Sequence, residues 1–167
     1  IGIDRRSLRL KSGQMHRFAE HLYSIFITLW VGALWAIGYL AAPTLFRVLD
    51  DRALAGRVAG EMFAYLGWLG MAFAAYLLVF LALRKNGAAF KSSVFWLILL
   101  MLLLTVAGQF GIQPILAQLK VDSLPREVME SALRDRFVAW HGVSSVVYLI
   151  QSLLGLLLVI LQGRGLR

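Results

Sequence analysis

FVAWHGVSSVVYLIQSLLGLLLVILQ, from Phe137 to Gln162, runs without an Asp, Glu, Lys or Arg. An α-helix rises about 1.5 Å per residue, so about 20 apolar residues cover the roughly 30 Å hydrocarbon core of a bilayer. This stretch is longer than that. Three others match it: Leu22 to Phe46, Met62 to Leu83 and Ser92 to Leu119. The spans themselves are placed at about 21–43, 62–83, 94–114 and 137–162. The chain therefore reads as an all-α integral membrane four-helix bundle, one domain over residues 1–167.

Composition agrees. Of the 167 residues 60% are hydrophobic and only 16% charged, too few charges to coat a soluble domain of this size. The chain has no Cys, which removes disulfides, C-x-x-C redox motifs and thiolate metal sites. Nothing after the first apolar stretch resembles a cleavage site, so that stretch is expected to stay in the mature protein.

The formal charge of +8 reflects topology better than nucleic-acid binding, because Lys and Arg collect in cytoplasmic loops. Arg5, Arg6, Arg9, Lys11 and Arg17 precede the first span, Arg84, Lys85 and Lys91 lie in an acid-free middle loop, and Arg164 and Arg167 end the chain. The other two loops hold seven of the nine acids. The expectation is a multi-pass protein of the bacterial inner membrane with both termini cytoplasmic. The chain opens on Ile1, and residues 1–14 read as an upstream extension if translation starts at Met15.

Pro43 lacks an N–H and restricts its predecessor, so the first span is expected to bend or stop there. Asp50 or Asp51 can cap a helix that carries Leu54, Val58 and Met62 at helical spacing into the second span. Gly56 and Gly60 form a small-x-x-x-small pair on it. The third span is expected to loosen at Gln113 and Pro114. Ser123 and Pro125 start a second surface helix, with Glu127 and Glu130 in its first turn and Arg134 one turn after Glu130. This amphipathic entry leads into the fourth span as the first leads into the second, both on the outer face. Trp35, Tyr39, Tyr65, Trp68 and Trp140 fit an outer aromatic belt, Tyr23 and Trp96 an inner one.

No Asp, Glu, Lys or Arg lies inside any span, which argues against an ion-coupled transporter. Polar and small residues do form stripes. His141, Ser145, Tyr148, Ser152 and Gly155 share a face of the fourth span; Thr105, Gly108, Gln109, Ile112 and Gln113 share one on the third; Thr28, Gly32, Trp35, Tyr39 and Pro43 share one on the first. Such residues avoid lipid, so the stripes are expected to converge, either as packing contacts or as an outer-leaflet pocket. In that pocket His141 would come within reach of Gln109, Gln113 or Tyr39. Arg134 and Arg136 beside it form a candidate charge clamp with Asp50, Asp51 or Glu61.

Histidine binds metals and haem, yet His21 lies about 30 Å from His141 in depth. Met62 is the one outer-side thioether that could complete a haem ligand pair with His141. Ser144 and Ser145 follow His141 without an orienting acid or a G-x-S-x-G elbow. No cofactor is expected.

The run Leu133-Arg134-Asp135-Arg136-Phe137-Val138-Ala139-Trp140-His141-Gly142-Val143-Ser144-Ser145 resembles the L-R-x-x-F-x-x-aromatic-H-G-x-S-S motif of the transmembrane protein 205 family. Trp30-Val31-Gly32, Pro43-Thr44-Leu45-Phe46-Arg47, Gly56 to Gly60 and Phe63 resemble its bacterial branch, domain of unknown function 4149. The resemblance implies a four-helix membrane fold and a shared motif at Leu133, Arg134, Phe137, Trp140, His141, Gly142, Ser144 and Ser145, but no reaction. The eukaryotic relatives carry cysteines that this chain lacks, so thiol-based metal handling does not transfer.

The resulting expectation is a non-enzymatic bundle that offers a small polar pocket to a ligand, lipid or partner helix, or assembles with a second copy. The alternative is a haem- or metal-linked membrane redox protein of the copper-resistance type, by analogy of size and span number alone.

Overall fold

The computed structural model describes residues 5–85, 88–121 and 130–166, with side chains over 17–85, 88–119 and 135–164. It contains α1 (Arg5–Trp35), a π-helical turn (Ala36–Ala41), α2 (Ala42–Val48), α3 (Arg52–Lys85), a short 3-10 turn (Ala88–Lys91), α4 (Ser93–Val106), a second π-helical turn (Ala107–Ile112), α5 (Gln113–Val121) and α6 (Glu130–Leu166). Among the described residues these make four helices long and apolar enough to cross a membrane: Arg17–Val48, Arg52–Lys85, Ser93–Leu119 and Asp135–Arg164. The protein is a multi-pass all-α membrane bundle.

The spans pack as a ring. The first lies against the second and the fourth, and the third also lies against the second and the fourth. One end of the bundle carries Pro43, Asp51 and Pro114; we call it the proline end. At the other, the hairpin end, Lys85 and Ser93 lie across the turn that joins the second and third spans.

Inside lipid, burying an apolar side chain against another helix gains little from the hydrophobic effect, because lipid tails are equally apolar. Close packing must supply the difference. Tyr23, Ile27, Trp30, Val31 and Leu34 recur at helical spacing and bury one face of the first span. The second span answers with Leu66, Gly70, Ala74, Leu77 and Leu81, whose small members let the helices approach. Val94, Ile98 and Met101 from the third span and Leu158 from the fourth complete the core. Gly155 admits Val31 and Met101: a Cβ on it would lie 3.2 Å from Val31 Cγ2.

Only 28, 28, 22 and 22% of the four apolar windows is buried inside the bundle, so most of their residues keep some surface that lipid can cover. Phe18, Leu40, Leu83, Leu103 and Ile160 are among the large apolar side chains that point outward.

Several local readings are corrected. Pro43 does not stop the first span, which continues to Val48, because the π-helical turn ahead of the proline absorbs the clash of its ring with the preceding carbonyls. Tyr23 is not an interfacial belt residue but lies in the core, 0% exposed, its ring tilted against Phe80 with the centroids 5.2 Å apart. Near its start α3 buries Ala55 and Ala59, one position before the half-buried Gly56 and Gly60. Of the two capping candidates Asp51 acts: its Oδ1 accepts the backbone N–H groups of Ala53 (2.8 Å) and Leu54 (3.1 Å). Ser123, Pro125 and Glu127 lie outside the described residues.

The Trp30–Gly70 contact gives a direct test of this packing. A Cβ at Gly70 would lie 2.7 Å from Trp30 Nε1, and the fully buried indole has no room to retreat. Gly70→Ala should lower stability in detergent by about 1 to 3 kcal/mol, the usual cost of overpacking. Gly32→Ala, where nothing lies within 4 Å, should be neutral or slightly stabilising in the same melting assay.

Candidate functional site

Both distorted spans follow one local rule. The turn Ala36–Ala41 precedes Pro43, and Ala107–Ile112 precedes Pro114; in each the π turn starts seven residues before the proline and ends two before it. An α-helical ladder would require Pro43 to donate to Tyr39, and a π ladder to Gly38. Proline can do neither. The wider turn shifts the pattern ahead of it, so that Ala42 N–H reaches back five residues to Ile37 and Gln113 N–H to Gly108. Thr44 compensates beyond the proline: its hydroxyl donates to the Leu40 carbonyl at 2.7 Å.

A side chain of the fourth span locks the first π turn from outside. Tyr148 donates its hydroxyl to the Leu34 carbonyl at 2.5 Å, two residues before the turn begins. Its ring lies over Gly38, where a Cβ would overlap the ring atoms; Tyr148 Cζ would be only 2.7 Å away. Phe63 from α3 meets the same ring edge-on at 5.1 Å, and Tyr39 approaches it at 6.1 Å. Trp35 stands 5.3 Å from Tyr39 and directs its indole N–H toward the Ser152 carbonyl at 3.4 Å. Three spans thus meet around one phenol.

A second polar knot lies one turn deeper. Gln151, 5% exposed, donates its Nε2 to the Met101 carbonyl (3.1 Å) and to Thr105 Oγ1 (3.0 Å), while Thr105 itself donates to Met101 (2.8 Å). Ser152 returns its hydroxyl to the Tyr148 carbonyl at 2.8 Å. The two Gln151 bonds stitch the third and fourth spans together where water is absent.

On the far side of the first π turn the small side chains of Ala36 and Ala41 leave an open groove of about 430 Å³. Ile37, Leu40 and Leu45 form its walls, and Met62 of α3 closes one side. Thr44 is its polar lining residue, and its hydroxyl is already engaged by Leu40.

The structure brings together some of the residues that the sequence singles out. Trp35, Tyr39 and Tyr148 form one aromatic cluster. Gln109 instead packs on the second span, its Oε1 over Gly67. Gln113 begins α5 and is half-buried. His141 and Ser145 remain on an exposed face: the imidazole stacks on Phe137 at 5.9 Å, and Ser145 bonds its own helix at the His141 carbonyl. No hydrogen bond joins His141 to Gln109, Gln113 or Tyr39 among the described residues.

Trp140, Gly142 and Arg136 are also exposed, and Ser144 is partly buried. The side chains of Leu133 and Arg134 lie outside the described set. Asp50, Asp51 and Glu61 are exposed, no ion pair joins them to Arg136, and Asp51 serves as a helix cap. Met62 lines the groove, and the His141 imidazole lies on Phe137. Among the described residues no three His, Cys, Asp or Glu side chains gather as metal ligands.

Sequence reasoning missed Gln151 and Gly38. Gln151 is a lone amide in an apolar run, three residues after Tyr148, and that spacing on the buried face was the available signal.

The family model described as domain of unknown function DUF4149 matches residues 25–125, most of the chain, and the chain belongs to that family. The matched region covers most of the first span and all of the second and third, together with both π turns; the run around His141 lies beyond it. No curated protein and no solved structure gives a significant match.

The Tyr148–Gly38 contact predicts a specific rescue. Gly38→Ala should destabilise the bundle by about 1 to 3 kcal/mol through overpacking. Combined with Tyr148→Ala, which removes the ring that the methyl would strike, the additional loss from Gly38→Ala should largely vanish in thermal melts.

Proposed function

We propose that this member of the DUF4149 family is a non-enzymatic bundle of the bacterial inner membrane that seats one lipid acyl chain in the groove beside its first π turn. The observation that carries this reading is the groove itself: about 430 Å³, lined by Ala36, Ile37, Leu40, Ala41 and Met62, with its one lining hydroxyl already engaged. A polar ligand would find little to bond there, whereas an acyl chain needs only apolar walls of the right width.

The groove also continues onto the lipid-facing surface. Leu40 is 70% exposed at its mouth, and Phe46 and Leu54 stand outward nearby in sequence on the two helices that border it. A chain could enter sideways from the bilayer without crossing a polar rim. The π turn supports the same reading, since such turns displace the helix wall locally and recur at functional sites.

The distribution of Lys and Arg supports cytoplasmic termini, which would put the proline end and the groove in the outer leaflet. The run from Leu133 to Ser145 supports kinship with transmembrane protein 205. Arg136, Trp140 and His141 of that run would then stand at the outer interface, the first two as interfacial anchors.

Photo-crosslinking tests the groove. Full-length protein in liposomes that contain a phospholipid with a diazirine near the acyl terminus should be labelled preferentially at residues 36–45 and at Met62. Ala41→Trp, which fills the groove, should remove that labelling and leave labelling of the exposed Leu153 and Leu156 face unchanged. Equal labelling of all lipid-facing surfaces, unaffected by Ala41→Trp, would contradict the proposal.

A further inference from the structure

At the hairpin end of the bundle four chain segments bring cations together. Arg17 begins the first span, Arg84 and Lys85 end the second, Lys91 precedes the third and Arg164 ends the fourth. Their proximity is marked by two contacts: Arg84 pairs with Glu20 of α1, and Lys85 Nζ reaches the Arg164 carbonyl at 3.5 Å. Among the described residues at this end, Glu20 is the one carboxylate set against these five cations.

Arg84, Lys85, Lys91 and Ser92 line one shallow groove of about 430 Å³, built around the turn Ala88–Lys91. It differs from the groove at the proline end in kind, because three cations and a hydroxyl line it. Glu20 neutralises Arg84, but neither Lys85 nor Lys91 has a carboxylate partner among the described residues. Ser92 stands at the helix start without bonding its own first turn, so its hydroxyl is available to a ligand.

Two exposed rings flank the groove-lining Lys91 and Ser92 in sequence and are held in place. Phe90 and Trp96 are 61% and 56% exposed, and the Trp96 indole N–H is held by the Phe90 carbonyl at 2.8 Å. Phe95 packs edge-on against both rings. A pair of lysines at the level of the headgroups, a hydroxyl between helix and turn, and exposed rings beside them on the lipid side match the parts of one amphiphile: an anionic head and apolar chains.

We infer that this groove binds the phosphate of an anionic phospholipid headgroup, with Lys85 and Lys91 as its cations and Phe90 and Trp96 flanking the acyl chains. Free phosphate shares the charge but gains nothing from the rings. A lysine near the membrane surface strengthens attraction to an anionic lipid roughly fivefold.

Native mass spectrometry of the full-length protein tests this directly. The purified protein is titrated with phosphatidylglycerol and, in parallel, with phosphatidylcholine of the same chains. The wild type should retain phosphatidylglycerol preferentially; Lys91→Gln and Lys85→Gln should each lower that preference roughly fivefold. Lys91→Arg should keep it, and Arg57→Gln, an exposed position at the proline end of α3, should leave it unchanged. Lys91 is exposed and accepts no structural role here, so its variant reports on binding even if Lys85→Gln also loosens the contact with Arg164. An undiminished preference in Lys91→Gln, an equal loss in Arg57→Gln, or full displacement of the lipid by inorganic phosphate would overturn the inference.

Discussion

In the hydrocarbon region every backbone N–H and C=O must be bonded within the protein, since no water is there to serve them. Two prolines lie inside spans of this bundle, at positions 43 and 114, and each removes a donor from a ladder that has no substitute in lipid. The structure answers both in the same way, with a π-helical turn set in the same register ahead of the proline. Around the first of these turns the rest of the arrangement follows. Thr44 bonds the Leu40 carbonyl, Tyr148 reaches across from the fourth span to Leu34, and Gly38 makes room for the phenol.

The two ends of the molecule consequently serve different chemistry. At the proline end the widened helix wall and the small Ala36 and Ala41 create an apolar recess open to lipid. At the hairpin end the helices stay regular, and side-chain charge dominates. Between them, the core depends on shape more than on apolarity, because lipid offers each Leu an equal environment. Trp30 against Gly70, and Val31 with Met101 against Gly155, are therefore the contacts that distinguish this packing from any other rotation of the same helices.

Much of the fold was legible in the sequence, for a physical reason: a bilayer imposes length and apolarity on each span independently of its neighbours. The four spans and the Asp51 cap could be read one segment at a time. What depends on rotation about the helix axis could not. Tyr23, at the edge of an apolar run, was equally consistent with an interfacial belt and with the core, and its place was decided by Phe80 on another span. His141 and Tyr148 share a stripe, yet only the deeper end of that stripe meets the bundle, so the phenol is engaged while the imidazole stays outside. Pro43 announced a distortion in the first span, but the contact of Tyr148 with Gly38 beside it joins residues far apart in sequence and could be read from neither segment alone.

The central claim is that the π turn ahead of Pro43 and the phenol of Tyr148 form one coupled unit. A double-mutant cycle of Pro43→Ala and Tyr148→Phe, read by reversible thermal or denaturant unfolding in detergent, measures that coupling. Restoring an N–H at position 43 lets the helix return to a regular ladder, after which the Tyr148 hydroxyl has less to support. The account predicts a combined effect that departs from the sum of the single effects by about 0.5 to 3 kcal/mol, the range seen for residues in one bonded network. Strict additivity would contradict it.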